Sequence, residues 1–192
     1  MKYVFASDIH GSAFYCRKLI EKFKESGAKK LILLGDILYH GPRNDLPKEY
    51  GPKEVLAMLN EIKEDIVCVR GNCEAEVDQM VLEFPCMADY ALLNINDLDF
   101  FVTHGHLFNT DNDGRNLPPM KNGDILIHGH THLPVAEKFV YEDGKRFIYW
   151  LNPGSVSLPK ENNPNSYAIL DDGLFTIYDF SGNVVKEINL RG

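Results

Sequence analysis

The chain reads as one α/β domain, residues 1–192, in which two β-sheets pack face to face with helices outside. Three observations predict this. Five short hydrophobic runs of β character each end at a polar residue. The first three runs are separated by segments of helical spacing. From Cys86 onward the runs are joined by tight turns instead.

In order, KYVFAS (2–7) is the first strand and stops at Asp8. SAFYCRKLIEKFKESG (12–27) places Phe14, Leu19, Ile20 and Phe23 near helical spacing, and Gly27 supplies the stop. KLILLG (30–35) is the second strand and completes a β-α-β unit ending at Asp36. The loop ILYHGPRNDLPKEYGP (37–52) is rich in Pro, Gly and polar groups and is expected to border a site. KEVLAMLNEIKED (53–65) resumes as a helix, and DIVCVRG (65–71) runs as a strand to Asn72. Then CMADYALLNI, DLDFFVTH, DILIHG, EKFVYEDGKRFIYWLN, SYAILDD, LFTIYDFSG and VVKEINL read as strands. Their turns include Glu142-Asp143-Gly144 and Asp171-Asp172-Gly173, so this half is expected to be largely antiparallel.

Composition bounds the function classes. A chain of 192 residues with 44% hydrophobic and 25% charged residues buries a core without disulfide or metal staples, and it carries neither a repeat nor a low-complexity tract. The apolar runs are far too short to span a membrane, and the N-terminus begins a strand rather than a cleavable apolar segment, so a cytoplasmic protein with no membrane partner is expected. Cys16, Cys68, Cys73 and Cys86 form no C-x-x-C pair and read as free thiols, with Cys68 in the core. A formal charge of −8 argues against an extended nucleic-acid surface, and KFKESGAKK reads as a solvated helix end. The sequence leaves a homo-oligomer open, because surface patches are not legible in it.

Asp8, His10, Asp36, Asn72, His104, His130 and His132 all follow the carboxyl ends of β-like runs, the rim where α/β sheets gather their ligands. Singly, each has an ordinary explanation: Asp8 as a turn residue or helix N-cap, Asp36 as an Asp turn. Jointly, seven such groups in one register point to a metal site. Cys73 is the one thiol at this rim.

The ordered motifs SDIHGS, GDILYHGPRN, RGNCEAEVDQ, THGH and HGHTHLP resemble those of the calcineurin-like metallophosphoesterases over nearly the entire chain, and look most like the small bacterial YfcE-type phosphodiesterases. The resemblance implies a four-layer α-β-β-α sandwich, two packed mixed β-sheets flanked by helices, without an extra domain. It further implies one metal held by Asp8, His10, Asp36 and His132 and a second by Asp36, Asn72, His104 and His130, with Asp36 bridging. His104, Asn72 and Cys73 are then the catalytic group.

Two carboxylates, one amide oxygen and four imidazoles are too rich in nitrogen for Ca²⁺ or Mg²⁺ and lack the thiolates of structural zinc. Two divalent ions are expected, Mn²⁺ first, with Zn²⁺, Fe²⁺, Ni²⁺ and Co²⁺ also fitting. A hydroxide bridging them would attack the phosphorus in line. Where most of the family reads Gly-Asn-His-[Asp/Glu], this chain reads Gly71-Asn72-Cys73-Glu74, so the histidine that often protonates the leaving group is missing. A thiol of ordinary pKa, about 8.5, is a weak donor beside an imidazolium, which favours a small phosphodiester substrate over a monoester. A histidine restored at 73 would draw on Glu74 for orientation. Arg43, Asn44, Cys73 and His106 are the substrate-contact residues expected; GPRN also has good turn chemistry, His106 also reads as support for the ligands, and His40 is a weaker contact. His128 reads as a hydrogen-bonded rim residue.

Three further readings compete with this one. A scaffold of the retromer-subunit type shares the fold but tolerates missing ligands, and here none is missing. A zinc amidohydrolase barrel usually needs about 250 residues, more than the chain has. A nuclease of the same superfamily would be expected to add a basic groove or a capping domain, and neither is evident.

Overall fold

The computed structural model describes residues 1–111 and 115–192. The first sheet has strand order β11-β10-β9-β1-β2-β3 and the second β4-β5-β6-β8-β7. Here β1 is Tyr3–Ala6, β2 Leu31–Leu33, β3 Ile66–Cys68, β4 Tyr90–Ile95, β5 Leu98–Thr103 and β6 Ile125–Ile127. The remaining strands are β7 Pro134–Val140, β8 Phe147–Pro153, β9 Ser166–Asp171, β10 Leu174–Asp179 and β11 Val184–Asn189. The helices are α1 Ala13–Ser26, α2 Pro52–Asn60 and α3 Glu76–Val81.

Both sheets are mixed. β1, β2 and β3 run parallel, and the other strands of that sheet are antiparallel hairpin partners. The second half is less antiparallel than its turns imply, because β5, β6 and β8 also run parallel. The hairpins β4–β5 and β7–β8 flank this parallel centre, and the β9–β10–β11 meander leaves to join the first sheet. Six parallel strands, three from each sheet, therefore present carboxyl ends to loops.

Alternation along the central strands builds two cores. Val4, Ala6, Leu31, Leu33, Ile66 and Cys68 face outward onto Cys16, Leu19, Phe23, Val55 and Leu59 of α1 and α2. Phe5, Ile32, Leu34 and Val69 face inward and meet Phe100, Val102, Ile125, Ile127, Tyr149 and Leu151 of the second sheet. Ser12 caps α1 by accepting the N–H of Tyr15, and Gly27 ends it in the left-handed conformation at φ 65°. Phe14, expected in the core, lies at the surface with the Lys48 ammonium 3.5 Å from its ring centre; Cys16 takes the buried position. The helix expected over 53–65 ends at Asn60 and resumes as a single 3₁₀ turn, Lys63–Asp65.

The two packed mixed sheets match the expected sandwich, and helices cover the outer face of the first. On the outer face of the second sheet no helix occurs among the described residues. The segment after His104 lies there instead: the Phe108 ring stands edge-on to Tyr90 and Phe101 at 6.0 and 5.4 Å. Pro119 and Met120 close a shallow cavity of about 350 Å³ over β4 and β5. Among the described residues, no helix is long and apolar enough to cross a membrane.

Phe100 is buried between the sheets and stacks on Phe5 at 5.8 Å, so Phe100→Ala is expected to cost roughly 3–5 kcal/mol by urea denaturation. Leu92→Ala, on the exposed edge strand, is the comparison and should shift stability by no more than about 0.5 kcal/mol.

Candidate active site

The polar residues that end the parallel strands converge on one cleft. Beyond β1 and β2 the main chains keep pairing: Asp8 N–H donates to Gly35 O at 3.1 Å and His10 N–H to Asp36 O at 2.9 Å. Asp8, His10, Asp36, His130 and His132 all adopt left-handed backbone angles, φ between 49° and 66°. A non-glycine residue is uncommon there, and strain of this kind, of order 1–3 kcal/mol per residue, persists where surrounding structure enforces it. The two sheets are joined at this point, since Asp8 Oδ2 accepts the His130 N–H at 3.1 Å. Gly129 makes the junction fit: a Cβ there would collide with the Ser7 side chain and come within 2.8 Å of Asp8 Oδ2.

The histidine tautomers follow from their outer nitrogens. The Nδ1 atoms of His10, His104 and His132 contact the main-chain carbonyls of Tyr39, Leu34 and Leu158. A carbonyl only accepts, so each Nδ1 carries the proton and each neutral Nε2 turns a lone pair into the cleft. His10 Nε2 and His132 Nε2 lie 3.3 Å apart, with Asp8 Oδ1 3.2 Å from the latter. Asp8 Oδ1 is nonetheless buried without a hydrogen-bond partner, because the approach of His132 is poorly directed. On the other side His104 Nε2 faces Asn72 Oδ1 at 3.2 Å, His130 Nδ1 at 3.3 Å and Asp36 Oδ1 at 3.5 Å. Asp36 Oδ2 reaches back to within 3.7 Å of His10 Nε2, so Asp36 borders both groups.

Acceptors that converge without donors need positive charge between them. Asp8, His10 and His132 have ligating atoms within 4.8 Å of one another, as do Asp8, Asp36 and His104, and His10, Asp36 and Cys73. The donor set, imidazole with carboxylate and amide oxygen, suits a divalent transition ion. Protons supply the charge otherwise. Burial opposes a charge on His104, yet Asp36 and Asp8 beside it lift its pKa to about 9. His10 is likewise raised despite burial, by Asp8. The Asp8 carboxyl, fully buried, is held well below the usual range by His10 and His132, and Asp36 is held down by His104. Burial and the neighbouring His104 push His130 down to about 4.

Glu74 fixes the loop that carries Asp36. Its Oε1 accepts the Ile37 N–H at 2.7 Å, and its Oε2 accepts the N–H groups of Asp36 at 2.9 Å and of Gly71. Both oxygens are thereby committed to main chain, so Glu74 is not placed to orient a side chain at position 73, contrary to the sequence expectation. Cys73 donates its N–H to Asp36 Oδ1 at 2.9 Å, and burial together with the charge of Asp36 raises its thiol pKa. Gly35 lets these loops meet: at φ 94° its missing Cβ would strike the Gly71 main chain, 2.7 Å from Cα.

The cleft, about 560 Å³, is lined by His10, Asp36, Asn72, Cys73, His130 and His132, and by Arg43 and Asn44 as expected. Asn44 also serves its turn, donating Nδ2–H to His40 O at 2.8 Å. His40 is not among the lining residues and packs between Tyr39 and Tyr50. His106 does not line the cleft either; its ring lies 5.5 Å from that of His104 and 6.3 Å from that of His130, where burial lowers its pKa. His128 is buried behind the rim, donating Nδ1–H to Gly129 O at 2.9 Å and accepting from Trp150 Nε1–H at 2.8 Å. Gly41, Pro42, Asp111, Thr131 and Lys160 complete the lining and were not read from the sequence. Lys160 arrives there because β8 runs parallel to β6, so the segment after FIYWLN leaves at the same rim, a direction the sequence does not show.

Comparison with known proteins agrees with this geometry. Residues 1–172 match the model of the calcineurin-like phosphoesterase superfamily domain. Phosphodiesterase YfcE of Escherichia coli strain K12 is 47% identical over 177 residues, 92% of this chain and 91% of that protein. The solved structure of the phosphoesterase YfcE from E. coli superposes with a TM-score of 0.91 at 43% identity, covering 99% of this chain and 100% of the other. Vps29 from Entamoeba histolytica, at 21% identity and a TM-score of 0.59 over 98% of this chain and 99% of that one, shares the fold alone. With every residue that lines the cleft inside the matched region, the chain belongs to the calcineurin-like phosphoesterase superfamily.

Proposed function

We propose that the chain is a metal-dependent phosphodiesterase that hydrolyses small phosphodiesters at a centre for two divalent ions, Mn²⁺ first among them. The observation that carries this reading is the double ring of inward-facing acceptors around Asp36: His10, His132 and Asp8 on one side, His104, His130 and Asn72 on the other. When bound, such ions lower the pKa of a shared water and stabilise charge on the phosphoryl oxygens. The chain's own groups do the rest. Carbonyls of Tyr39, Leu34 and Leu158 fix three imidazole orientations, so that no reorganisation is needed when a ligand enters. Arg43 offers a charged fork to a phosphate at the outer wall. Cys73, its thiol pKa raised by burial and by the Asp36 carboxylate beside it, is a poor proton donor, so leaving groups that depart unprotonated are favoured. The diesterase name of the E. coli relative supports the same substrate class. Four free cysteines suit a reducing cytoplasm. A scaffold role is disfavoured because no ligating position is vacated.

Three measurements follow. Stripping metal with a chelator should abolish hydrolysis of bis(p-nitrophenyl) phosphate, and Mn²⁺ should restore it better than Mg²⁺. Asp36→Asn, which keeps an acceptor for the Cys73 N–H, should remain folded by circular dichroism and lose at least about 10² in kcat/KM, ~2.7 kcal/mol of transition-state stabilisation. Activity persisting in a verified apo protein would overturn the metal mechanism.

Loading should also release protons. With a pKa near 9, His104 is protonated at pH 7 in the metal-free protein and must lose that proton to ligate. Mn²⁺ affinity is therefore expected to rise as pH increases from 6 towards 9. Calorimetry in buffers of different ionisation enthalpy should register net proton release, and a buffer-independent enthalpy would contradict it.

Wild type should favour bis(p-nitrophenyl) phosphate over p-nitrophenyl phosphate in kcat/KM. Cys73→His should narrow that ratio only modestly, short of the roughly 10²-fold or more that a supported general acid contributes, since Glu74 is engaged elsewhere. A wild-type preference for the monoester would reverse the substrate assignment.

A further inference from the structure

The segment after β8 is built to deliver a cation to the cleft. It runs beneath two of the ligating residues before it reaches the surface. The Ser155 and Ser157 hydroxyls both donate to Asp8 O, at 2.9 and 3.2 Å, and the Val156 N–H donates to Ser7 O at 3.0 Å. Leu158 O accepts the proton of His132 Nδ1, and the Lys160 N–H donates back to His132 O at 3.4 Å. Two left-handed residues follow, Glu161 at φ 53° and Asn162 at φ 60°, and Asn163 returns both its N–H and its Nδ2–H to Lys160 O, at 3.0 and 2.9 Å. The main chain of Lys160 is thus tied on both sides, once to His132 and twice to Asn163. Its side chain lines the cleft, where no carboxylate among the described residues is paired with it. Arg43 stands on the separate loop after β2 and is likewise without an ion pair among the described residues.

Lys160 is exposed at the mouth of the cleft, and its main chain is fixed there at the cost of two left-handed non-glycine residues. In the proposed centre, bound metal ions would account for attraction of the scissile phosphate. A second tethered cation at the rim therefore has work to do on the part of the substrate that lies outside the metal centre. Resting on the diesterase reading above, we propose that Lys160 is a specificity-determining residue whose ammonium binds an anionic group on the substrate beyond the scissile phosphate. The substrate class is then phosphodiesters that carry a second phosphate or a carboxylate on one ester arm. The ammonium pairs as a point charge and takes either oxyanion, whereas the Arg43 fork suits the scissile phosphate itself.

The test uses two p-nitrophenyl phosphodiesters that differ only in the far end of the second arm, one ending in a phosphate monoester and the other in a hydroxyl. In the Mn²⁺-loaded wild type, kcat/KM should be about tenfold higher for the charged ester, carried mainly by KM, as one charge-assisted contact provides. Lys160→Met should remove the preference and Lys160→Arg should restore most of it, while Lys121→Met, remote from the cleft, keeps the wild-type ratio. Thermal melts of each variant show whether the fold is intact. A wild type that hydrolyses both esters equally, or a folded Lys160→Met that keeps the preference, overturns the assignment of Lys160 and leaves the diesterase reading standing. Failure of the loaded wild type on both esters overturns the diesterase reading, and this inference with it.

Discussion

The site depends on one buried carboxylate whose two oxygens serve main chain. Glu74 accepts the main-chain N–H groups of Asp36, Ile37 and Gly71, joining the loop after β2 to the loop after β3. Hydrogen bonds to an ionised acceptor contribute roughly 1.5–3 kcal/mol each, which is the scale needed to offset the desolvation of a buried charge and to hold Asp36 at φ 55°. The arrangement works against itself electrostatically. Burial and the adjacent Asp36 raise the Glu74 pKa, and Asp8 is buried in the same cleft. Carboxylates this close are compatible with a folded chain when positive charge enters between them, as protons on His10 and His104 or as cations. Any cation held between these residues would thereby add to the stability of the cleft.

Around that clamp the backbone does most of the positioning. Five ligating residues lie in the left-handed region, and each is held by a bond its neighbours provide: Asp8 by Gly35 O and the two serine hydroxyls, His10 by Asp36 O, His130 by Asp8 Oδ2, His132 by Leu158 and Lys160. Behind them Asn152 Nδ2–H donates to Gly129 O at 2.8 Å and Thr131 Oγ1 at 3.0 Å, while His128 and Trp150 brace the same carbonyl. A burial-lowered pKa of about 4 keeps His128 neutral, so its single N–H stays committed to Gly129. These main-chain bonds hold the rim in place, while Asp8 Oδ1 is left buried without a hydrogen-bond partner.

Much of this was legible in the chain itself. A hydrophobic run that stops at a polar residue marks a strand end, and of the seven residues read that way five line the cleft while Asp8 and His104 lie buried beside them. The interruption of helical spacing by Gly27 and the Asp-Asp-Gly turn likewise survive as the end of α1 and the β9–β10 hairpin. Local pattern failed where direction was at stake. Hairpin turns cannot reveal that β6 and β8 run parallel across β7, since hydrogen-bond direction depends on which strand pairs with which and not on either strand alone. Phe14 fits the apolar spacing of α1, yet Ala13 and Cys16 take the core positions of that turn and Phe14 is left half-buried, with Lys48 over its ring.

Residue type, order and strand-end position determined which polar side chains are candidate ligands and that the fold is a two-sheet α/β domain. Those properties belong to single segments, and a segment's periodicity and terminal residue are written in its own sequence. The tertiary structure alone decided the state of each group. Which imidazole nitrogen faces the cleft depends on carbonyls 26 to 70 positions distant in the chain, at Tyr39, Leu34 and Leu158, and Glu74 serves main chain instead of residue 73 because two loops cross there. Lys160 reaches the rim only because its segment is threaded under Asp8 and His132. Such assignments arise from contacts between distant segments, for which no local stretch of sequence carries a signal.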